Sequence, residues 1–271
     1  MSETHEYIVN DRDFEERRLL EQSVVLDPLT RRLFDAAGLE PGMRVLDLGS
    51  GAGNVARLAA DIVGPKGSVI GVERDPDAVQ RAQRLVDAAG YTNIEFREGD
   101  VQELDVVDGE FDAVVGRLVL LFLPDPAEAL RRALPLLRPG GVLCMQEPDL
   151  TYSWTSVDSP LWRQVRGWVM DTLTAVGADM KMGLSLFATF REAGAPDPLL
   201  RMEAVAGGGA NAPAFGWANV VEGILPLMER LGIAKTEEVE PKTLTTRLLA
   251  EIADENGTVV GPFLYGAWAT K

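Results

Sequence analysis

The chain is predicted to be an α/β protein with a parallel sheet and helices on both faces, on three observations. Short apolar runs alternate with amphipathic runs through the first half, the pattern of strand–helix–strand units. The run Val45-Leu46-Asp47-Leu48 leads directly into Gly49-Ser50-Gly51-Ala52-Gly53, a glycine-rich loop where a strand gives way to a helix. Three Asp-Pro pairs, Asp27-Pro28, Asp75-Pro76 and Asp125-Pro126, each read as a helix N-cap followed by proline at the first helical position.

Taken in order, residues 7–22 mix charge with Ile8, Val9, Phe14, Leu19 and Leu20 and predict an amphipathic helix. A second helix starts at Asp27-Pro28, carries Leu29, Leu33, Phe34 and Ala37 at helical spacing and closes at Gly38. The first strand spans 44–48, and a helix follows over 54–62, stopped by Gly64-Pro65. Strand 68–72 ends at Glu73, and the helix from Asp75-Pro76 closes near Gly90. Strand 94–97 precedes Gly99-Asp100-Val101, and 111–115 is the fourth strand. The helix from Asp125-Pro126 ends before Pro139-Gly140-Gly141, and 142–146 is the fifth strand. Beyond it, Ser159-Pro160 opens a helix bearing Trp162, Val165, Trp168 and Val169. Further helices are expected over 183–193, 214–231 and 241–253, and strands over 199–205 and 263–270, with Gly207-Gly208-Gly209 breaking the sixth strand. The expected organisation is a helical lid over 1–38, a core over 39–210 and 258–271, and a helical cap inserted at 211–257.

Composition narrows the function classes. No run of about 18 apolar residues is present, as a membrane helix would need, and the polar start Met1–Glu6 lacks the basic flank and apolar run of a signal peptide. Cys144 is the single cysteine, so no internal disulfide forms, and a cytoplasmic location is expected. The formal net charge of −16 argues against a nucleic-acid partner. A small-molecule substrate is expected, with no membrane partner and no metal, and a homodimer is compatible with the sequence.

The acidic residues around the glycine loop give its chemistry. The spacing is GxGxG at Gly49, Gly51 and Gly53, not the GxGxxG of dinucleotide folds. Asp47 would repel a pyrophosphate but suits an ammonium group. Glu73, about 20 residues on at the end of the second strand, stands where a ribose-binding carboxylate belongs. Asp100 can accept from an exocyclic amine such as adenine's, with Val101 against the ring. These features describe a nucleoside with a free ribose diol and a cationic tail, which is S-adenosylmethionine.

On these motifs the chain resembles the class I S-adenosylmethionine-dependent methyltransferases, most closely over residues 40–147. Phe111–Val115 with Arg117 and Leu118, and Leu136-Leu137-Arg138-Pro139-Gly140-Gly141, match further family motifs. The resemblance implies a Rossmann-like seven-stranded sheet of order 3-2-1-4-5-7-6 with the last strand antiparallel. It implies methyl transfer to a small organic molecule, and a cofactor site of Tyr7, Gln22, Asp47, Gly49, Ser50, Gly51, Asn54, Glu73, Arg74, Gly99, Asp100, Val101, Arg117 and Leu118. Arg18 is comparable to Gln22 in place. Where many relatives have His-Leu-Pro, this chain has Phe122-Leu123-Pro124.

Catalysis has few candidates. Glu147, at the end of the fifth strand, is either a general base or substrate anchor, or a carboxylate bonded to loop backbone. His5, the single histidine, could act only if a lid delivered it. Asp149 and Tyr152 share the loop after Glu147. Tyr152, Trp154 and Trp162 are candidates for a substrate pocket, with core packing the competing reading for the tryptophans. Asp47 either meets the cofactor or holds loop N–H groups, and Arg117 either serves the cofactor or forms an ion pair. A protein of the same fold that binds the cofactor without transferring methyl, as a cyclase or sensor, would carry the same motifs. An NAD-dependent oxidoreductase would not.

Overall fold

The computed structural model describes residues 12–213 and 216–271, with side chains from residue 23 onward apart from that of Ala210. In chain order the elements are α1 (Arg12–Ala37), β1 (Arg44–Leu48), α2 (Asn54–Val63), β2 (Ser68–Glu73), α3 (Pro76–Ala88), β3 (Ile94–Glu98), β4 (Phe111–Arg117), α4 (Pro126–Ala133) and β5 (Leu137–Asp149). Then come α5 (Pro160–Ala175), α6 (Met182–Glu192), β6 (Leu199–Glu203), β7 (Ala206–Gly208), α7 (Trp217–Leu231), α8 (Thr236–Val239), α9 (Pro241–Asp254), β8 (Thr258–Val260) and β9 (Phe263–Thr270).

Two compact units result. The sheet unit comprises Asp27–Asp149, Lys181–Glu203 and Leu264–Lys271, and the helical unit comprises the described residues up to Leu26, with Leu150–Met180 and Ala204–Phe263. The sheet has seven strands in the order β3-β2-β1-β4-β5-β9-β6, and β9 runs antiparallel to β6. This is the expected order, with β9 as its seventh strand. β1 pairs in parallel with β2 and β4, so Asp47 lies between Gly71 and Val115. Val45, Ala113, Val115, Val142 and Cys144 from the strands pack with Leu33, Phe34, Val55, Ala59 and Val63 from the helices in a closed apolar core. Each large aliphatic or aromatic side chain among them contributes roughly 1.5–3 kcal/mol on burial.

Two of the three Asp-Pro pairs cap helices as expected. Asp75 accepts from Asp77 N at 2.9 Å and Asp125 from Glu128 N at 2.9 Å. Asp27-Pro28 does not, and α1 runs through it with Pro28 inside. The Asp27 carboxylate accepts from Arg117 Nη1 at 2.9 Å instead, so the separate helix start predicted at this pair is replaced by a continuous helix. The Pro-Gly-Gly expected before the fifth strand lies within β5. Pairing to β4 skips from Leu137 opposite Phe111 to Val142 opposite Ala113, a break in register that keeps the proline out of the ladder.

The helical unit includes Leu150–Met180, so it is wider than the insertion expected at 211–257. The reason is apolar area. Trp162, Val165, Trp168 and Val169 of α5 pack with Val221, Leu225 and Met228 of α7 in one buried cluster. Gly207 and Gly208, expected to break a strand, form a ladder with Val259 and Thr258. A Cβ on Gly207 would lie 1.8 Å from Asn211 O, so the glycine permits a close backbone approach. Among the described residues no helix is long and apolar enough to cross a membrane.

Candidate active site

The carboxyl ends of β1 and β2 build the site. Gly49, Gly51 and Gly53 take φ values of +62°, +51° and +80°, the left-handed region that costs an L side chain about 1–2 kcal/mol. The turn is fastened by Ser50 N donating to Val72 O at 3.0 Å and Gly53 N donating to Ser50 O at 2.8 Å. Glu73, 5% exposed, accepts from Gly51 N on Oε2 at 3.0 Å and from Asp75 N on Oε1 at 3.1 Å. The loop N–H that would face a pyrophosphate in a dinucleotide fold is thus held by a carboxylate. Each carboxylate oxygen keeps a second acceptor direction for a ribose hydroxyl.

Asp47 is 1% exposed, and neither of its oxygens has a hydrogen-bond partner among the described residues. Burial pushes its pKa up to about 8; the Arg117 guanidinium pulls it back and the Glu73 carboxylate pushes it further up. The Ala56 N–H also lowers it, without reaching full hydrogen-bond geometry. Among the described residues no loop N–H bonds to Asp47, which leaves its carboxyl open to a cationic group, whose charge would favour the ionised form. Ser50 Oγ is likewise buried without a partner among the described residues.

The other expected cofactor residues fall around this cradle. Gly99 N donates to Glu73 O at 3.0 Å, tying the loop after β3 to the end of β2. Asp100 is exposed, and its Oδ1 accepts from Gln102 N at 2.8 Å. Val101 beside it is buried. Asn54 opens α2 and accepts from Arg57 Nη2, while Arg74 is exposed beside Glu73.

At the end of β4, Arg117 is buried, with Nη1 donating to Asp27 Oδ1 at 2.9 Å and to Thr30 Oγ1 at 2.8 Å. Thr30 Oγ1 in turn donates to Gln146 Oε1 at 2.6 Å. Arg117 therefore makes the ion pair, and its field reaches Asp47 as well. Sequence reasoning missed Thr30 and Gln146. Gln146 left a signal, a polar residue ending the apolar run of β5, and Thr30 left none. Leu118 is a non-glycine at φ +58°, a strained position of the kind that clusters at functional sites.

Glu147 is fully buried, and its Oε1 accepts from Val119 N at 3.0 Å and Leu120 N at 2.8 Å. This is the loop-backbone arrangement, one of the two weighed from sequence. Asp149 is buried at the end of β5. In the helical unit Trp154 is 1% exposed and stacks on Trp217 at 3.5 Å and 8°, and Trp162 is 4% exposed in the same cluster. Both tryptophans pack a core; as pocket-lining side chains they are corrected by their burial, although both indole N–H groups lack a partner among the described residues. Tyr152 stacks on Phe263 at 3.9 Å, and its hydroxyl donates to Gly261 O. Tyr7 and His5 lie outside the described residues. Arg18 and Gln22 fall on α1 where side chains are not described.

A family of methyltransferase domains matches residues 39–182. An arsenite methyltransferase of Aquipseudomonas alcaligenes is 39% identical over 115 residues, 40% of this chain and 33% of that protein. An aklanonic acid methyltransferase of a Streptomyces species is 34% identical over 121 residues, 45% of this chain and 55% of that protein. The matches thus span about a third and about half of these curated relatives. The crystal structure of an S-adenosylmethionine-dependent methyltransferase from Aquifex aeolicus shares the fold, with a TM-score of 0.54 at 15% identity over 96% of this chain and 99% of that one.

Proposed function

The chain belongs to the methyltransferase-domain family, and on that premise we propose that it transfers a methyl group from S-adenosylmethionine to a small organic molecule. S-adenosylmethionine is its cofactor, and the residues present fit it. The observation that carries the reading is the pair of buried acids: Glu73 closing the Gly51 N–H, and Asp47 with both oxygens unpartnered among the described residues. Glu73 would hold the ribose diol, Asp47 the ammonium group and Asp100 the adenine amine, with Val101 against the ring. When bound, the cofactor supplies an electrophilic methyl on a sulfonium, open to in-line attack. The protein's contribution is alignment and exclusion of water, which suffice for an acceptor that is already a nucleophile. A hydroxyl or carbon acceptor also needs a base, for which His5 stands as a proposal.

An organic acceptor is favoured over arsenite. Arsenic(III) is a soft centre that asks for thiolates, and this chain has one cysteine, Cys144, fully buried with its thiol pKa pushed up by burial. The net charge of −16 speaks against a polyanionic acceptor. Incubation with methyl-labelled cofactor and a panel of phenols, carboxylates, amines and arsenite tests the reading. Label in an organic acceptor supports it. Label in arsenite alone, or cofactor bound with no label transferred to any acceptor, sinks it, the latter in favour of a cyclase or sensor.

Glu73→Ala is expected to weaken S-adenosylhomocysteine binding by roughly 1–3 kcal/mol, the scale of leaving buried polar groups unpaired. Isothermal calorimetry reads this directly, and unchanged affinity would remove Glu73 from the ribose site.

A further inference from the structure

The loop after β4 is held from beneath by one side chain. Glu147 Oε1 accepts both Val119 N and Leu120 N, at 3.0 and 2.8 Å, from a fully buried position. Two neighbouring features show that this grip has a task. Leu118, just before the bonded pair, sits at φ +58°, a conformation a leucine adopts only under constraint. Val119, the first bonded residue, projects its side chain onto the glycine loop, so close that a Cβ on Gly49 would come within 2.4 Å of Val119 Cγ2. Leu118 N is pinned from the same strand, donating to Gln146 O at 3.0 Å.

We propose that Glu147 is a positioning residue for cofactor binding: it fixes the strained turn after β4 so that Val119 seats the glycine loop. The chain of contact runs from the carboxylate to two backbone N–H groups, through the Val119 side chain, to Gly49. The chemistry asked of Glu147 is hydrogen-bond acceptance by one oxygen. No proton leaves or arrives, which sets the role apart from a general base. The inference rests on S-adenosylmethionine as the cofactor and is independent of the acceptor.

Glutamine separates the roles, because its carbonyl oxygen accepts two N–H donors as the carboxylate oxygen does while it cannot act as a base. Glu147→Ala is expected to weaken S-adenosylhomocysteine binding on the order of 10-fold, the loss of about one net hydrogen bond, and to speed amide exchange at Val119 and Leu120. Glu147→Gln is expected to restore affinity to within about twofold, with exchange at both amides slow again. Should Glu147→Ala fail to fold, Glu147→Asp takes its place: one methylene shorter, it keeps the carboxyl group but loses reach to the N–H pair. Unchanged affinity in a folded Glu147→Ala or Glu147→Asp overturns the proposal. So does equal loss in Glu147→Gln, or a Glu147→Gln variant that binds normally yet transfers no methyl, which would make Glu147 the base. Failure of the wild type to bind S-adenosylhomocysteine would instead fault the cofactor assignment itself.

Discussion

Asp47→Asn is expected to flatten the pH dependence of stability of the ligand-free protein. In the unfolded chain the Asp47 carboxyl ionises near 4, whereas burial in the fold holds its proton to about 8. Between these values the native state binds more protons than the unfolded state, so this group makes stability fall as pH rises. The penalty is absent below pH ~4 and complete above pH ~8. At about 1.4 kcal/mol for each pH unit between those two values, it reaches several kcal/mol. An asparagine has no titration, and the cost of burying its amide is the same at every pH. Thermal melts from pH 4 to 8 therefore give a variant whose melting temperature gains on the wild type as pH rises. A parallel pair of curves would show that Asp47 ionises normally in the fold. The same substitution is expected to weaken S-adenosylhomocysteine binding, because the amide cannot balance an ammonium group. Stability and affinity moving in opposite directions is the signature of a charge kept in a costly place for a ligand.

The parts of this site legible in sequence are those made by local chemistry. The glycine loop, Glu73 and the Gly99-Asp100-Val101 turn each sit at a strand end, and a strand end followed by a turn leaves a short-range pattern. Asp75-Pro76 and Asp125-Pro126 cap helices because an aspartate and the N–H it bonds are two or three residues apart. Asp27-Pro28 shows the same two residues and does otherwise, because Arg117, ninety positions away, takes the carboxylate. The register that brings Arg117 opposite Gln146 also decides what Glu147 does. A polar residue at the end of β5 could be read from the sequence, but not which loop N–H groups lie over it. Trp154 and Trp162 pose the same difficulty in the helical unit. Their burial depends on Trp217 and the apolar face of α7, so from the sequence core packing and pocket lining stayed open as competing readings. Of the sheet, the strand order followed from the family resemblance, whereas the β7–β8 ladder was hidden by glycines that look like breakers until Asn211 comes up against them.

Gly49→Ala is expected to damage the glycine loop severely with a single added methyl. Two costs coincide at the position. The backbone is left-handed at φ +62°, worth about 1–2 kcal/mol against alanine. The new Cβ would stand 2.4 Å from Val119 Cγ2 and 2.9 Å from Val119 Cβ, and overpacking of this kind costs about 1–3 kcal/mol. Together they predict a loss of roughly 2–5 kcal/mol, read as stability where the loop holds its place and as cofactor affinity where it yields. Gly38→Ala separates the two costs. Gly38 has φ +83°, and its Cβ would meet nothing within 4 Å, so that variant is expected to lose the conformational part alone. Adding Val119→Ala to Gly49→Ala removes the nearer contact, at Cγ2, but leaves Val119 Cβ, so partial recovery of affinity is expected in calorimetry. Equal losses at Gly38 and Gly49 would reduce the Gly49 effect to backbone strain and remove Val119 from the cofactor site. A larger loss at Gly49 that Val119→Ala relieves identifies the seam between glycine loop and β4 turn as the element on which cofactor binding depends.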